Sequence, residues 1–278
     1  MPSLISCLVP TSPGRRCFWP IMFRCFQGQT CPDRKMVLID EEGFPGSLPT
    51  GVEHLVVSPG TSIGQKLNIG IESTRSSFFH KWDDDDWYRS DFLETLVAPL
   101  LKTPSAVSLV DRHLVFLVRD WKLYVTPPGT LGGGSICFGR EAWDRRHFPD
   151  RSLGEDLDFI VDRERLARIT PDPLNYILVR HASNTWKSWS NGRSVECVAE
   201  STGTLLPGGP ENLLSPDDLD FYRKLRANLP DDHPHLPPRE QPGIGPAPSP
   251  VKTGCLRLWR RRRDASTCAT MARNRVQT

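Results

Sequence analysis

The chain has 278 residues, of which 38% are hydrophobic and 24% are charged, so it can bury one sizeable core and carry an appended tail. A net charge of +2 produces no general positive field, and this composition does not indicate a nucleic-acid-binding protein. The eight cysteines include no CxxC pair, which disfavours a zinc ribbon, and we interpret them as buried free thiols.

The apolar N-terminal stretch 1–10 predicts a core strand. It has no basic region before it and no small-residue cleavage site after it, so it does not fit a secretory signal peptide. Nowhere does an apolar run reach the ~18 residues that suggest a membrane span. We therefore expect a soluble, intracellular protein, cytoplasmic and without a transmembrane segment.

Predicted strands and helices alternate between residues 4 and 101. The strands are short apolar runs, and the helices carry apolar residues at helical spacing. The predicted strands cover 4–9, 36–40, 54–57 and 77–82, and the predicted helices cover 16–26, 62–73 and 89–101. This alternation predicts an α/β fold with a Rossmann-like, mostly parallel sheet and helices on both of its faces.

The pattern becomes richer in strands after residue 104. Predicted strands cover 105–110, 114–119, 123–126, 135–138 and 175–181, with short helices over 140–146 and 154–161. We divide the chain into a first α/β half (1–104), a smaller β-containing half (105–190) and a peripheral segment (191–229) with one candidate helix at 215–229. The Pro- and Arg-rich residues 230–278 cannot form a core, so a disordered tail is predicted there.

Acidic residues follow two of the predicted strands. Asp40 ends one strand, and the run Asp83–Asp86 follows another, between Trp82 and Trp87. Ligands of parallel α/β sheets bind beyond the carboxyl ends of the strands, and hard cations such as Mg²⁺ prefer carboxylate oxygens together with substrate phosphates. The run lacks the glycine of an EF-hand loop, so we favour a metal–phosphate site over a solvated charge cluster. The neighbouring tryptophans are interpreted as packing residues.

A series of short motifs resembles the family 2 glycosyltransferases of the GT-A fold, in the order in which that family carries them. They are Leu8-Val9-Pro10-Thr11, Phe26-Gln27-Gly28-Gln29-Thr30, Ile39-Asp40-Glu41-Glu42, the segment Gly64–Gly70, the DxD-like Asp83–Asp86, the glycine segment Gly132–Ser135, the xED-like Gly154-Glu155-Asp156, and His181. The resemblance covers about the first two-thirds of the chain. It implies an enzyme that transfers a sugar from a nucleotide-sugar donor, with a UDP-sugar as the first candidate, to a hydroxyl acceptor.

The resemblance also implies roles at the donor end of the site. Asp40 would bind the nucleobase and Asp83 the ribose or a metal-bound water. Asp85 would bind a divalent cation, Mn²⁺ or Mg²⁺, with Asp83 and His181 as further metal contacts. The remaining residues implied for the donor and nucleotide pocket are Pro10, Thr11, Lys66, Asn68 and Asp84. With four adjacent aspartates, the assignment among Asp83, Asp85 and Asp86 stays open.

At the acceptor end, the resemblance implies that Gly133 and Gly134 let the backbone approach the sugar or the acceptor. Asp156 would be the general base that deprotonates the acceptor hydroxyl, with inversion, and Glu155 is the weaker candidate. Each residue also has an ordinary interpretation. Glu155 and Asp156 suit any helix N-terminus, His181 is equally typical of a hydrogen-bonded structural histidine, and the glycines suit a simple turn.

Three alternatives stay open from the sequence. The first is a non-catalytic descendant that binds a nucleotide sugar, which the presence of Asp156 disfavours. The second is a metal-dependent nucleotidyltransferase, for which Arg15 and Arg16 after the first strand are suggestive, although one glycine makes a poor phosphate cradle. The third is a non-enzymatic scaffold that binds through 230–278. The identity of the acceptor is not readable from these residues.

Overall fold

The computed structural model describes residues 4–104, 106–161, 166–169, 174–187 and 194–229. The chain divides into two units, Met1–Asp231 and Asp232–Thr278, and the second unit, with the predicted tail, lies outside the described residues. The strands are β1 (Ile5–Pro10), β2 (Arg34–Asp40), β3 (Val52–Val56), β4 (Phe78–Lys81), β5 (Trp87–Tyr88), β6 (Val107–Val110), β7 (Leu114–Leu117), β8 (Lys122–Val125), β9 (Cys137–Gly139), β10 (Leu166–Ile169), β11 (Tyr176–Arg180) and β12 (Thr204–Leu205). The α-helices are α1 (Trp19–Gln27), α2 (Ile63–Glu72), α3 (Phe92–Lys102), α4 (Arg140–Arg145), α5 (Glu155–Ile160), α6 (Val195–Thr202) and α7 (Pro216–Ala227).

The larger sheet has seven strands in the order β10-β6-β9-β4-β1-β2-β3. Strands β1 to β4 pair in parallel with one another, and β10 pairs in parallel with β6. Strand β9 is antiparallel to both of its neighbours, β4 and β6. The predicted mostly parallel α/β sheet is therefore confirmed, and three strands from beyond residue 104 extend it.

A second sheet of five strands has the order β12-β8-β7-β11-β5. Its pairs are antiparallel except for β7 with β11. The two-residue strand β5 follows the acidic run directly and pairs with the start of β11. This pairing brings the acidic run of the first sheet against a strand that lies about ninety residues later in the chain.

Both faces of the larger sheet are buried, because alternate side chains of each central strand enter different cores. Cys7 and Val9 of β1 belong to a core shared with α1, α3, α7 and the second sheet. Leu8 belongs to a core on the other face, which α2, α4 and α5 cover. Near-continuous apolar strands are the expected sequence of such a sheet, and helices on both faces are confirmed.

Most predicted elements are present within a few residues of their predicted bounds. The first predicted helix is split into a 3-10 turn, Pro13–Phe18, and α1, because Pro20 lacks the N–H that a longer helix would need there. The candidate helix at 215–229 is observed as α7, with Ser215 as its N-cap. Tyr222 of α7 is fully buried in the core that contains α1, so this segment packs into the fold.

Some short elements carry no readable sequence signal. Strands β5 and β12 have two residues each, too few for a periodicity, and β10 is only partly buried. Six cysteines lie in the described part of the chain, and four of them are buried, as predicted for structural thiols. None of the helices that the structure describes has both the length and the apolar character to cross a membrane.

Candidate functional site

Three parallel strands end at one edge of the larger sheet, and the predicted donor residues follow them. In the sheet register Pro10 at the end of β1 lies beside Ile39 of β2, and Leu8 lies beside Lys81 at the end of β4. The turns after β1 and β4 are tied together, since the Thr11 hydroxyl donates a 2.7 Å hydrogen bond to Asp84 Oδ2. The structure therefore brings Pro10 and Thr11 to the acidic run.

Asp40 lies fully buried at the end of β2. Its Oδ2 accepts hydrogen bonds from Arg16 Nη2 at 2.8 Å and Nε at 3.2 Å, and its Oδ1 accepts one from the Glu41 backbone N–H at 2.7 Å. The His54 ring nitrogen Nε2 lies 3.8 Å from Asp40 Oδ2. A carboxylate that accepts three N–H hydrogen bonds, from Arg16 Nη2, Arg16 Nε and the Glu41 backbone, still has a lone pair for a further donor, as binding of a nucleobase N–H requires.

Lys66 and Asn68 of α2 differ in their surroundings. The buried Lys66 ammonium donates to the Thr11 carbonyl and to Glu41 Oε1, both at 2.8 Å. It therefore lies next to the edge of the larger sheet at which β1, β2 and β4 end. Asn68 Oδ1 instead accepts from Trp143 Nε1 and the Phe148 N–H, while its amide donates to the Phe148 carbonyl. Asn68 thus joins α2 to the segment around α4, a structural role that differs from the pocket role predicted for it.

Arg15 lies between two members of the acidic run. Its Nη2 donates to Asp84 Oδ1 at 2.6 Å and to Asp85 Oδ2 at 2.5 Å, and its Nε donates to both oxygens of Asp84. Its Nη1 donates to the Ser183 carbonyl at 3.2 Å. Burial alone would lower the pKa of Arg15, but the charges of Asp85 and Asp84 outweigh it and raise that pKa. One guanidinium therefore compensates two buried carboxylates.

His181 contacts Asp85, while the metal contact implied for this histidine stays a prediction. Its Nε2 lies 3.0 Å from Asp85 Oδ2, and the Asn184 amide donates to the same oxygen at 3.0 Å. Burial works against the charge of Asp85, but the hydrogen bond from His181 and the charge of Arg15 prevail and lower the pKa of Asp85. Asp85 is thus held as a carboxylate among three donors.

Asp86 faces the second sheet. Its Oδ2 accepts a 2.5 Å hydrogen bond from the Tyr176 hydroxyl, and its Oδ1 accepts one from the Val179 N–H at 2.9 Å. Burial, followed by the charges of Asp85 and Asp83, raises the pKa of Asp86 well above its usual value. Both partners belong to β11, so Asp86 fastens the acidic turn to that strand.

Lys81, the last residue of β4, connects the acidic run to α5. Its ammonium donates to Asp83 Oδ1 at 2.8 Å and lies 4.0 Å from both Glu155 Oε1 and Asp156 Oδ2. Burial disfavours this ammonium, but the charges of Asp83, Asp156 and Glu155 outweigh the penalty and raise the pKa of Lys81. The DxD-like and xED-like segments, more than seventy residues apart in sequence, therefore meet at one buried cation.

The two acids at the start of α5 differ in exposure. The Glu155 side chain is 6% exposed, and burial raises its pKa. The Asp156 side chain is 26% exposed, and its Oδ1 accepts a 2.6 Å hydrogen bond from the Leu157 N–H. Of this pair, Asp156 is the one that a molecule from solution reaches more readily.

The glycine segment packs between these acids. A Cβ atom on Gly133 would lie 2.3 Å from Asp156 Oδ2, and one on Gly134 would lie 2.6 to 2.8 Å from Tyr176 Oη, Asp83 Oδ2 and Asp86 Oδ2. The Gly134 carbonyl also accepts a hydrogen bond from Tyr88 Oη at 3.1 Å. The segment is therefore a close-packed 3-10 turn that only glycine can form here, rather than a flexible turn.

The predicted metal ligands do not fit a divalent cation in this arrangement. In the described part of the chain, no group of three His, Cys, Asp or Glu side chains is placed to hold a metal ion. Asp83 accepts from Lys81, and Asp85 Oδ2 accepts from Arg15, Asn184 and His181 Nε2. The Ser183 N–H donates to His181 Nδ1, so Nε2 carries the ring proton and presents no lone pair to a metal.

Five residues of the site were not predicted as members of it. Arg15 and Arg16 drew attention only as a possible phosphate cradle, but both bind carboxylates, which removes the observation that favoured a nucleotidyltransferase. Lys81, Asn184 and Tyr176 carried no motif. The usable signal was charge: a lysine inside an apolar strand needs an acidic partner, and the acids follow immediately.

Comparisons with known proteins were made at three levels. No protein-family model and no curated protein matches the sequence. Solved structures are similar: S. aureus TarS 1–349 with UDP has a TM-score of 0.48 and 14% identity, over 64% of this chain and 60% of that one. The same protein with UDP-GlcNAc gives a TM-score of 0.49 at 12% identity, covering 65% and 59%.

A mannosyltransferase from Pyrobaculum calidifontis, in complex with GDP-Man and Mn²⁺, is also similar. The TM-score is 0.45 at 13% identity, and the match covers 65% of this chain and 57% of that one. The match thus spans less than two-thirds of the length of each of these proteins. Similarity at this level assigns no activity to the present chain.

Proposed function

We propose that this chain is a glycosyltransferase of the family 2, GT-A type, which transfers a sugar from a nucleotide-sugar donor to a hydroxyl acceptor with inversion. The observation that carries the proposal is the convergence at Lys81: Asp83 lies 2.8 Å from its ammonium, and Glu155 and Asp156 each lie 4.0 Å from it. Direct displacement needs a donor-contacting acid and a base close to each other, and this convergence supports assigning those roles to Asp83 and Asp156.

The donor end of the proposed site is the edge formed by β1, β2 and β4. Asp40 would accept an N–H of the nucleobase, with a uracil as the first candidate, while Thr11 and Lys66 shape the pocket beside it. Asp83 would contact the ribose. The mechanism assigns no step to a divalent cation, because the oxygens expected to bind one are engaged by Arg15 and Lys81.

The chemical step needs a proton acceptor and a stabilised leaving group. The acceptor hydroxyl is a poor nucleophile until a positioned carboxylate takes its proton, and we assign this role to Asp156, whose side chain is 26% exposed against 6% for Glu155. A base on the face of the sugar opposite the diphosphate gives inversion in one displacement. The charge that develops on the leaving nucleoside diphosphate needs a cation nearby.

The test uses water as the acceptor, since the natural one is unidentified. Hydrolysis of UDP-sugars and GDP-sugars is followed by release of the nucleoside diphosphate, and binding of UDP is measured by calorimetry. We expect Asp156→Asn to lower kcat by about 10²- to 10⁴-fold, the usual contribution of a general base, with an unchanged Kd for UDP.

The matched control is Asp158→Asn, which removes an exposed acid of the same short helix whose partner is Arg151. We expect this variant to retain the wild-type kcat. Full hydrolytic activity in Asp156→Asn would refute the base assignment. If no nucleoside diphosphate binds to the wild-type chain, the glycosyltransferase proposal itself is wrong.

A further inference from the structure

Arg15 follows β1 and lies against Asp84 and Asp85 of the acidic run. Its guanidinium binds Asp84 through two nitrogens and Asp85 through one, and the side chain is 21% exposed. Four of its five N–H groups donate to Asp84, Asp85 and the Ser183 carbonyl. The fifth, on Nη1, has no partner among the described residues, and Arg15 therefore keeps one donor for a ligand.

The carboxylates around Arg15 are arranged for this cation and not for a metal ion. Asp84 is 3% exposed and has both oxygens on Arg15, with the Thr11 hydroxyl as a third donor. On Asp85, Oδ2 is shared among Arg15, Asn184 and the protonated Nε2 of His181. A metal ion would have to displace a guanidinium and remove a ring proton to bind these atoms.

We propose that Arg15 takes the place of a divalent cation in this site, so that a nucleoside diphosphate binds, and leaves, without a metal. This inference rests on the proposed function. A guanidinium is permanently charged and matches the geometry of phosphate oxygens. Asp84 and Asp85 offset the net charge of Arg15, so its contribution to the leaving diphosphate is the charge-assisted hydrogen bond of its remaining Nη1 N–H. Asp84 and Asp85 act as positioning residues, since they fix the plane of the guanidinium.

If Arg15 takes the place of a divalent cation, a variant without the Arg15 guanidinium should bind a divalent cation in its place. In Arg15→Met the carboxylates of Asp84 and Asp85 lose their counter-charge, and together they form an oxygen-rich pair of the kind that hard cations bind. We therefore expect the variant to acquire an affinity for Mn²⁺ that the wild-type chain lacks. The matched control is Arg16→Met, which removes the adjacent arginine but leaves the Arg15 contacts intact, since Arg16 pairs with Asp40.

Two titrations test the proposal on the full chain. In the first, Mn²⁺ alone is titrated into the wild type, Arg15→Met and Arg16→Met, and only Arg15→Met is expected to bind it. In the second, UDP is titrated in EDTA or in Mn²⁺. The wild type is expected to show the same Kd in both, whereas Arg15→Met is expected to bind UDP about tenfold or more weakly in EDTA, with recovery in Mn²⁺.

Clear outcomes would overturn the proposal: a wild type that binds UDP only with Mn²⁺, or an Arg15→Met variant that binds UDP in EDTA as tightly as the wild type. Arg15→Lys is a second variant for the case that Arg15→Met does not fold. It keeps the positive charge, and we expect it to bind UDP in EDTA. Should no variant bind UDP at all, the proposed function fails, and the Mn²⁺ titration still decides the role of Arg15. Equal Mn²⁺ binding by wild type and Arg15→Met would refute it.

Discussion

His80, in the middle of β4, offers a stability prediction that is independent of the proposed activity. The ring is fully buried and lies edge-on to Trp82, Tyr88 and Phe92, with centroids 5.1 to 5.7 Å apart. Neither ring nitrogen has a hydrogen-bond partner among the described residues. Burial, followed by the charge of Lys81, lowers the pKa of His80 to about 3, against a weaker opposing effect of the Gly134 backbone. The perturbation that we consider is His80→Leu, which removes the titrating group and keeps an apolar side chain of similar size.

The sign follows from the two pKa values. Between the folded value of about 3 and the ordinary value of 6.5, the unfolded chain binds a proton on His80 that the folded chain does not. Stability is therefore lost as the pH falls below 6.5, and the loss from this one group reaches about 3 kcal/mol at a pH of about 4.5. Above neutral pH the group has no effect, since the histidine is neutral in both states.

The assay is urea unfolding at several pH values, followed by tryptophan fluorescence, for wild type and His80→Leu. We expect the free energy of unfolding of the variant to fall less steeply with acid, by about 3 kcal/mol between pH values of about 7.5 and 4.5. His147→Gln, at an exposed ring that stacks on Trp143, serves as the control and should keep the wild-type slope. Parallel curves for wild type and His80→Leu would refute the reasoning.

The glycine segment and the acidic turn provide two further predictions. Gly134→Ala should destabilise the fold by about 1–3 kcal/mol, because its Cβ would lie 2.6 to 2.8 Å from oxygens of Tyr176, Asp83 and Asp86. Thermal unfolding checks this prediction. The control is Gly43→Ala, where the added Cβ meets nothing within 4 Å. Tyr176→Phe should cost about 1–3 kcal/mol in urea unfolding, since it leaves the buried Asp86 carboxyl without its hydroxyl donor, and an unchanged midpoint would contradict the anchoring role of Asp86.

The positions of the acids that follow the parallel strands could be predicted from the sequence. Asp40 and the acidic run follow β2 and β4, which lie on either side of β1, and the structure brings both to one edge of the sheet, as predicted. His181 Nε2 lies 3.0 Å from Asp85 Oδ2, and the Lys81 ammonium lies between Asp83 and Asp156. The metal role for this group stays a prediction from the resemblance, and the geometry favours side-chain cations instead.

The sequence alone determined the alternation of strands and helices, because buried parallel strands and amphipathic helices have distinct apolar periods that are local in the chain. It also determined which strand ends carry acids. Which partner each of the four aspartates Asp83–Asp86 contacts was decided only by tertiary structure. Adjacent residues of a turn point in different directions, and their partners come from Lys81, Arg15, His181 and Tyr176 on separate elements. Except for Lys81, which lies two residues from Asp83, these partners are distant in sequence. Contacts with them leave no local pattern, since they depend on which elements pack together.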